Sequence, residues 1–343
     1  MTVTTETVRF TSGPGLSLHG VLYMPSEENR PAGGLPGIVL CLGYRPVFGM
    51  FAPKYARGFA EMGYAVLTFE YRGFGSSEGP RWRHIAHEQL EDVRNAVTYL
   101  STRDEVDDDR IAVWGDASYG GAHAVMAGAT DDRIRCVVAT TPFADGEALL
   151  RSTRAPWEWQ DFTERVAADR RERVLGRGEQ VPPEEIMNFE PASHVRAAKH
   201  AEKHPELAAL RYPLSETADS IMSYKPVEYV DRLSPRPLLL IAAELDRTTP
   251  ASNAEQLYEA AGSPKKLVIL KNAGHTDVHG SRLADVMEIG ADWLARHLSP
   301  RDEDIVLTEG SDTAGAQRES AVGIGSRAVS PDLRELIEKE AIS

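Results

Sequence analysis

The sequence predicts an α/β fold: a mostly parallel central sheet flanked by helices, with a helical cap inserted into it. Three observations lead there. Short apolar runs of strand length alternate with segments of helical periodicity over the first part of the chain. That alternation stops between about Ala144 and Leu233, where the chain becomes charged and helical. It then resumes, so the same sheet is left and re-entered. An insertion placed so would sit over the C-terminal ends of the strands, where open α/β sheets bind ligands.

The elements follow in order. Leu16, Leu18, Gly20 and Leu22 fall on one face of a half-buried strand, opposite Ser17, His19, Val21 and Tyr23. Ser26 to Gly37 is turn-rich, and Ile38 to Leu42 reads as a strand buried on both faces. A helix from Pro53 to Met62 is closed by Gly63, and Ala65 to Phe69 is the next buried strand. From about His84 to Leu100, Leu90, Val93, Val97 and Leu100 form one helical stripe. Ile111 to Trp114 is a strand, Tyr119 to Gly128 a helix and Ile134 to Ala139 a strand. After the insertion come a strand at Leu238 to Ala242, a helix at Asn253 to Ala261 and a strand at Leu267 to Leu270. A last helix starts at Ser281 and turns Leu283, Val286, Met287 and Leu294 inward.

This reading divides the chain into a core, residues 1–144 and 234–299, a helical cap, 145–233, and a C-terminal extension, 300–343. The extension begins polar and small, then places Ser330 and Pro331 ahead of Leu333, Leu336 and Ile337, the pattern of a short terminal helix. A frayed tail and a helix docked on its own core or on a second subunit both fit, which leaves a homodimer open.

Composition narrows the classes. A chain of 343 residues with 42% apolar and 26% charged residues is that of a globular protein. A net charge of −14 argues against nucleic acid and anionic membranes as partners. The N-terminal MTVTTETVRF carries neither a basic region nor an apolar segment, so a cytoplasmic location is expected. Cys41 and Cys136 both lie in apolar runs and read as buried thiols, not a disulfide or a metal site. The histidines lack metal-ligand spacing, and no G-x-G-x-x-G follows the first strand of a βαβ unit, so neither metal nor nucleotide cofactor is expected.

The chemistry is concentrated in Val113 to Gly121, VWGDASYGG, where a buried strand runs into a glycine-rich turn and a helix follows. A nucleophile elbow requires that context, because a tight turn lifts its serine, here Ser118, above the sheet at a helix N-terminus. On these residues the chain resembles the α/β-hydrolase superfamily, over roughly Val8 to Ala144 and Pro235 to Leu298. FEYRGFGSSEG (Phe69 to Gly79) looks like the family's turn after the fourth strand, AAELDRTTP (Ala242 to Pro250) like its acid-bearing loop, and NAGHTDVHG (Asn272 to Gly280) like its histidine loop. The helical insertion is similar to that of dienelactone-hydrolase-like and X-Pro-peptidase-like esterases and, more loosely, of the pseudooxynicotine hydrolase branch.

The resemblance implies an α/β-hydrolase fold and a triad of Ser118, Asp246 and His275, which stand in the family's chain order. His275 would take the serine proton and later return it, and Asp246 would orient the imidazole. Backbone donors at Tyr44 and Tyr119 would hold the oxyanion, with the Tyr44 hydroxyl as a candidate third contact. Glu244 and Asp145 are the alternative acids. One position departs from the family's G-x-S-x-G: Asp116 stands where the first glycine is usual. Two readings of it are open, a backbone hydrogen bond that tightens the turn, and a carboxylate that tunes His275 or meets a polar substrate.

Other residues carry bland and sharp readings side by side. His123 is expected in the core, and His84, His87 and His279 in solvated or capping roles. Trp157, Trp159, Phe162, Tyr212 and Tyr224 would build the cap's own core, with one or two lining the pocket, while Arg151, Arg154 and Arg211 could meet a carboxylate. The expected activity is hydrolysis of a small-molecule ester or related acyl bond through an acyl-enzyme. Carbon–carbon cleavage of a diketone, amide hydrolysis and acyl transfer use the same residues. A non-catalytic binding protein is disfavoured, since all three triad members are present.

Overall fold

The computed structural model describes residues 2–46, 51–189, 195, 198, 199 and 201–298. The C-terminal extension and its terminal helix lie outside the described residues. Eight strands form one sheet: β1 (Val3–Ser12), β2 (Leu16–Pro25), β3 (Leu35–Cys41), β4 (Ala65–Phe69), β5 (Val106–Gly115), β6 (Ile134–Thr140), β9 (Leu238–Ala243) and β10 (Lys265–Leu270). Their order is β1-β2-β4-β3-β5-β6-β9-β10. β1 and β2 form an antiparallel hairpin and β2 meets β4 antiparallel, whereas every pairing from β4 to β10 is parallel. The fully buried strands are the apolar runs read from the sequence: every residue of β3, β4 and β9 is buried, as parallel strands covered on both faces require.

Strand β1 is the element that the sequence reading leaves out. It holds VTTETVRFTS, and only Val8, Phe10 and Ser12 are buried. It is an edge strand paired along one side, so half of its residues face water and the apolar signal is thin.

Helices α1 (Ala52–Glu61) and α10 (Leu283–His297) pack against each other with Trp114 of β5 beneath them. The Trp114 ring lies 4.8 Å from Phe59 and 5.6 Å from Tyr55, and leaves no room for a side chain at Gly290. Helices α2 (Ala86–Ser101) and α3 (Ala117–Thr130) form a second layer against each other. The turn after β4 is tied to α2 and to the end of β1 through one buried carboxylate. Asp92 of α2 accepts from the Arg72 backbone and guanidinium at 2.7–2.9 Å and from Ser12 Oγ of β1 at 2.6 Å, all buried.

Between β6 and β9, which are neighbours in the sheet, the chain is mostly helical. It contains α4 (Gly146–Ser152), α5 (Pro156–Val174), α6 (Pro183–Ile186), α7 (Glu206–Ala209) and α8 (Leu214–Met222). It also holds a two-residue antiparallel pair, β7 (Gln180–Val181) with β8 (Tyr212–Pro213), too short to show as a strand in the sequence. Arginines of α5 bind carboxylates across this segment: Arg165 holds Glu179 and Glu185, and Arg170 holds Asp219. Helix α9 (Ser252–Ala260) then links β9 and β10.

Candidate active site

Ser118 lies where β5 ends and α3 begins, and the backbone there is strained. Ala117 has φ 49° and Ser118 φ 40° with ψ −97°, left-handed values that side chains seldom adopt. The turn is fixed from several directions: Asp116 N–H donates to the Cys41 carbonyl at 2.9 Å, Ala117 N–H to Thr140 Oγ1 at 2.9 Å, and Ser118 N–H to the Thr141 carbonyl at 3.0 Å. Glycine is needed at the start of α3, because a Cβ on Gly120 would run into the Cys41 carbonyl oxygen. Ser118 Oγ is buried and has no hydrogen-bond partner among the described residues.

Asp246 and His275 meet. Asp246 follows β9 and His275 follows β10, and His275 Nδ1 stands 2.7 Å from Asp246 Oδ2 with both side chains buried. The other carboxylate oxygen accepts from the backbone N–H groups of Thr248 and Thr249 at 2.8 and 2.7 Å. A carboxylate gripped in this way favours the tautomer with Nδ1 protonated and leaves Nε2 as the acceptor. The alternative acids are engaged elsewhere. Glu244 binds Lys271 and the Asn272 N–H, and Asp145 caps α4 through the Ala148 N–H while pairing with Lys225.

Tyr44 and Tyr119 stand beside each other next to the elbow, ring centroids 5.6 Å apart. A Cβ added to Gly43 would lie 3.1 Å from the Asp116 carbonyl oxygen, so the loop after β3 runs close along the turn. The Tyr44 hydroxyl points away from any oxyanion role: it donates to the Pro183 carbonyl at 3.3 Å. That expectation is corrected.

The Asp116 side chain turns towards a second histidine and not towards the neighbouring backbone. Its backbone is extended at φ −90°, which leaves room for a side chain, and the crowded glycine is Gly115 before it. Its buried carboxylate lies 2.7 Å from Nδ1 of His279, four residues beyond His275. His279 is therefore a buried partner of the elbow, not a solvated or capping residue. His84 is also buried, ringed by Tyr119 at 4.6 Å, Tyr44 at 4.9 Å and Tyr212 at 5.0 Å, and burial pushes its pKa down to about 3. The solvated role fails for it too, because the loop leading into α2 turns the ring beneath the insertion. His123 lies in the core between the Tyr224 hydroxyl (2.9 Å) and Gln89 Oε1 (3.2 Å).

The insertion's aromatics divide. Tyr212 and Tyr224 are fully buried against Tyr44, Tyr119 and His123 of the core, so they do not make a separate cap core. Phe162 is buried, while Trp157 is exposed. Arg154 donates to the carbonyls of Leu150, Glu185 and Ile186, and Arg211 to those of Ala208 and Leu210, so both are committed to backbone. Among the described residues no group of three or more His, Cys, Asp or Glu converges as a metal site, and no helix is long and apolar enough to cross a membrane.

Comparison with known proteins adds a family. Residues 14–277 match the model of the X-Pro dipeptidyl-peptidase (S15) family. A 31.7 kDa protein of Escherichia coli is 30% identical over 267 residues, covering 77% of this chain and 91% of its own length. The polyketide transferase grgF of Penicillium sp is 28% identical, covering 85% of this chain and 96% of its own. Its crystal structure, described as an α/β-hydrolase, superposes with a TM-score of 0.68 at 26% identity, over 86% of this chain and 99% of that one. The thiohydrolase aneE of Aspergillus aculeatus is 28% identical, covering 82% of this chain and 88% of its own.

Proposed function

Because the chain belongs to the X-Pro dipeptidyl-peptidase (S15) family and is an α/β-hydrolase, we propose that it cleaves a small-molecule ester or thioester through a covalent acyl-enzyme on Ser118. One observation carries this reading: His275, 2.7 Å from Asp246, sits on the loop whose His279 meets Asp116 of the strained turn at Ser118. Thioesters enter because two relatives are named thiohydrolases. The helices between residues 145 and 233 serve as the cap that shapes the acyl pocket.

In the first step Ser118 Oγ attacks the acyl carbon while its proton passes to His275 Nε2. Asp246 stabilises the imidazolium that forms and keeps its own charge. The carbonyl oxygen becomes an oxyanion, held by the backbone N–H groups of Tyr119 and Tyr44; losing one such donor costs about 3 kcal/mol in the transition state. Collapse expels the alcohol or thiol, which takes the proton from His275. Water then repeats the sequence, with His275 as base, and releases the acid. A second acceptor in place of water would make the same acyl-enzyme a transferase, the reading that the name of grgF favours.

Intact-mass spectrometry after a fluorophosphonate reagent tests the proposal. One adduct that maps to Ser118 and is absent from Ser118→Ala is expected. An unlabelled, well-folded wild type would overturn it. Product analysis on acyl esters and thioesters then separates hydrolysis, which gives free acid, from transfer, carbon–carbon cleavage and amide cleavage.

A further inference from the structure

Asp116 and His279 are absorbed by no step above, yet they form the second buried carboxylate–histidine pair of the site. Asp116 is part of the elbow, two residues before Ser118, and His279 ends the short turn Asp277–His279 that follows His275. Their 2.7 Å contact joins β5's end to the loop after β10, although β6 and β9 separate those strands in the sheet. Helix α1 closes over the pair: the Tyr55 hydroxyl donates to the Val278 carbonyl at 3.3 Å and lies 3.4 Å from His279 Nδ1, and the Phe51 ring stands 4.9 Å from the imidazole. The His279 and His275 rings are 6.4 Å apart. Asp277, between them, accepts from the Gly274 N–H at 2.7 Å and from Ser281 Oγ at 2.9 Å, so hydrogen bonds within the loop brace it.

We propose that Asp116 and His279 are positioning residues: their buried contact clasps the histidine loop to the elbow and sets the His275 imidazole in register with Ser118. The inference rests on the reading of Ser118 and His275 as the reacting pair. An enzyme with glycine at position 116 lacks this clasp, so the departure from G-x-S-x-G has a purpose in this chain. Misplacement of a reacting group by about 1 Å can cost 100-fold, which sets the scale of what the clasp protects.

The titratable groups near His275 give a readout that a mere packing role would not move. They are Asp246 on its Nδ1 side, Asp116 and His279 across the loop, and Asp277 within it; Tyr55 on α1 is neutral, its phenol held well above the usual range by burial. Removing the Asp116 charge disfavours the imidazolium, so the pH midpoint for activation of Ser118 falls. Removing His279 takes away the group that holds Asp116 from the loop side, so labelling slows.

The test is the rate of fluorophosphonate labelling against pH, on the full chain, for wild type, Asp116→Asn, His279→Gln and Ser118→Ala. Both clasp variants are expected to label about 10- to 100-fold more slowly, with the midpoint lowered in Asp116→Asn. A wild-type rate in either folded variant, or slowed labelling of Asp116→Asn with an unmoved midpoint, would overturn the clasp. So would misfolding of both variants by circular dichroism, which would make the pair a folding element. An adduct that persists in Ser118→Ala would instead overturn the reading on which the clasp rests.

Discussion

The Tyr212 hydroxyl donates to the backbone carbonyl of Tyr44 at 2.7 Å, so a residue of the insertion holds the loop proposed to supply an oxyanion donor. The grip is doubled by the Tyr44 hydroxyl on the Pro183 carbonyl and by Arg45, which pairs with Glu184 at 2.8 Å and lies over the Phe189 ring. Tyr212→Phe should therefore cost about 1 kcal/mol of stability, the net worth of one hydrogen bond. Turnover should drop by less than the roughly 100-fold typical of a lost oxyanion donor. Urea denaturation and steady-state kinetics check the two effects, and unchanged turnover would detach Tyr212 from the site.

Asp246→Asn should keep the fold, because an amide oxygen can still accept from the Thr248 and Thr249 N–H groups. It would present an N–H₂ to His275 Nδ1 and favour the wrong tautomer. A fall in turnover on the order of 10⁴-fold is expected. A loss below tenfold would mean that another acid serves His275.

Gly120→Ala pushes a methyl group into the Cys41 carbonyl oxygen, which belongs to the strand beneath. About 1–3 kcal/mol of destabilisation should follow, as for other overpacked sites, together with loss of labelling at Ser118. Gly33→Ala, with open space around it, is the control and should stay within about 0.5 kcal/mol of wild type.

Two buried histidines make the fold sensitive to acid. His84 is held at about 3 and His123 well below its ordinary value, both mainly by burial. In the unfolded chain each binds a proton near pH 6.5. Their contribution is thus complete above pH 6.5 and is lost as pH falls, for His84 down to about 3. Each should add about 1.4 kcal/mol per pH unit to the slope of stability in that window. His84→Phe should remove one such proton from the slope, as read from denaturant midpoints at pH 4 to 7; an unaltered slope would contradict the assignment.

The sequence discloses what is local or periodic. β3, β4 and β9 are short apolar runs because both their faces are covered, and Ser118 is announced by the strand, turn and helix around it. The order Ser118, Asp246, His275 is legible because each follows a strand with its own loop signature. What escapes is contact between distant segments. Nothing near Asp116 in the chain names His279 as its partner, and nothing near Tyr212 says that it will bury against Tyr44. β1 escapes for another reason: an edge strand with one wet face has too few apolar residues to stand out.

Strands β6 and β9 pair directly, Val137 with Leu238 through Thr140 with Ile241, although the whole insertion lies between them in the chain. The excursion leaves and returns at adjacent rungs of one ladder, so its length places no demand on the register of the sheet. Selection can rewrite, lengthen or exchange that excursion while the strand ends bearing Ser118, Asp246 and His275 keep their spacing. Under the proposed function, substrate preference and bond-breaking would be separable traits, joined chiefly where Tyr44 is gripped from above.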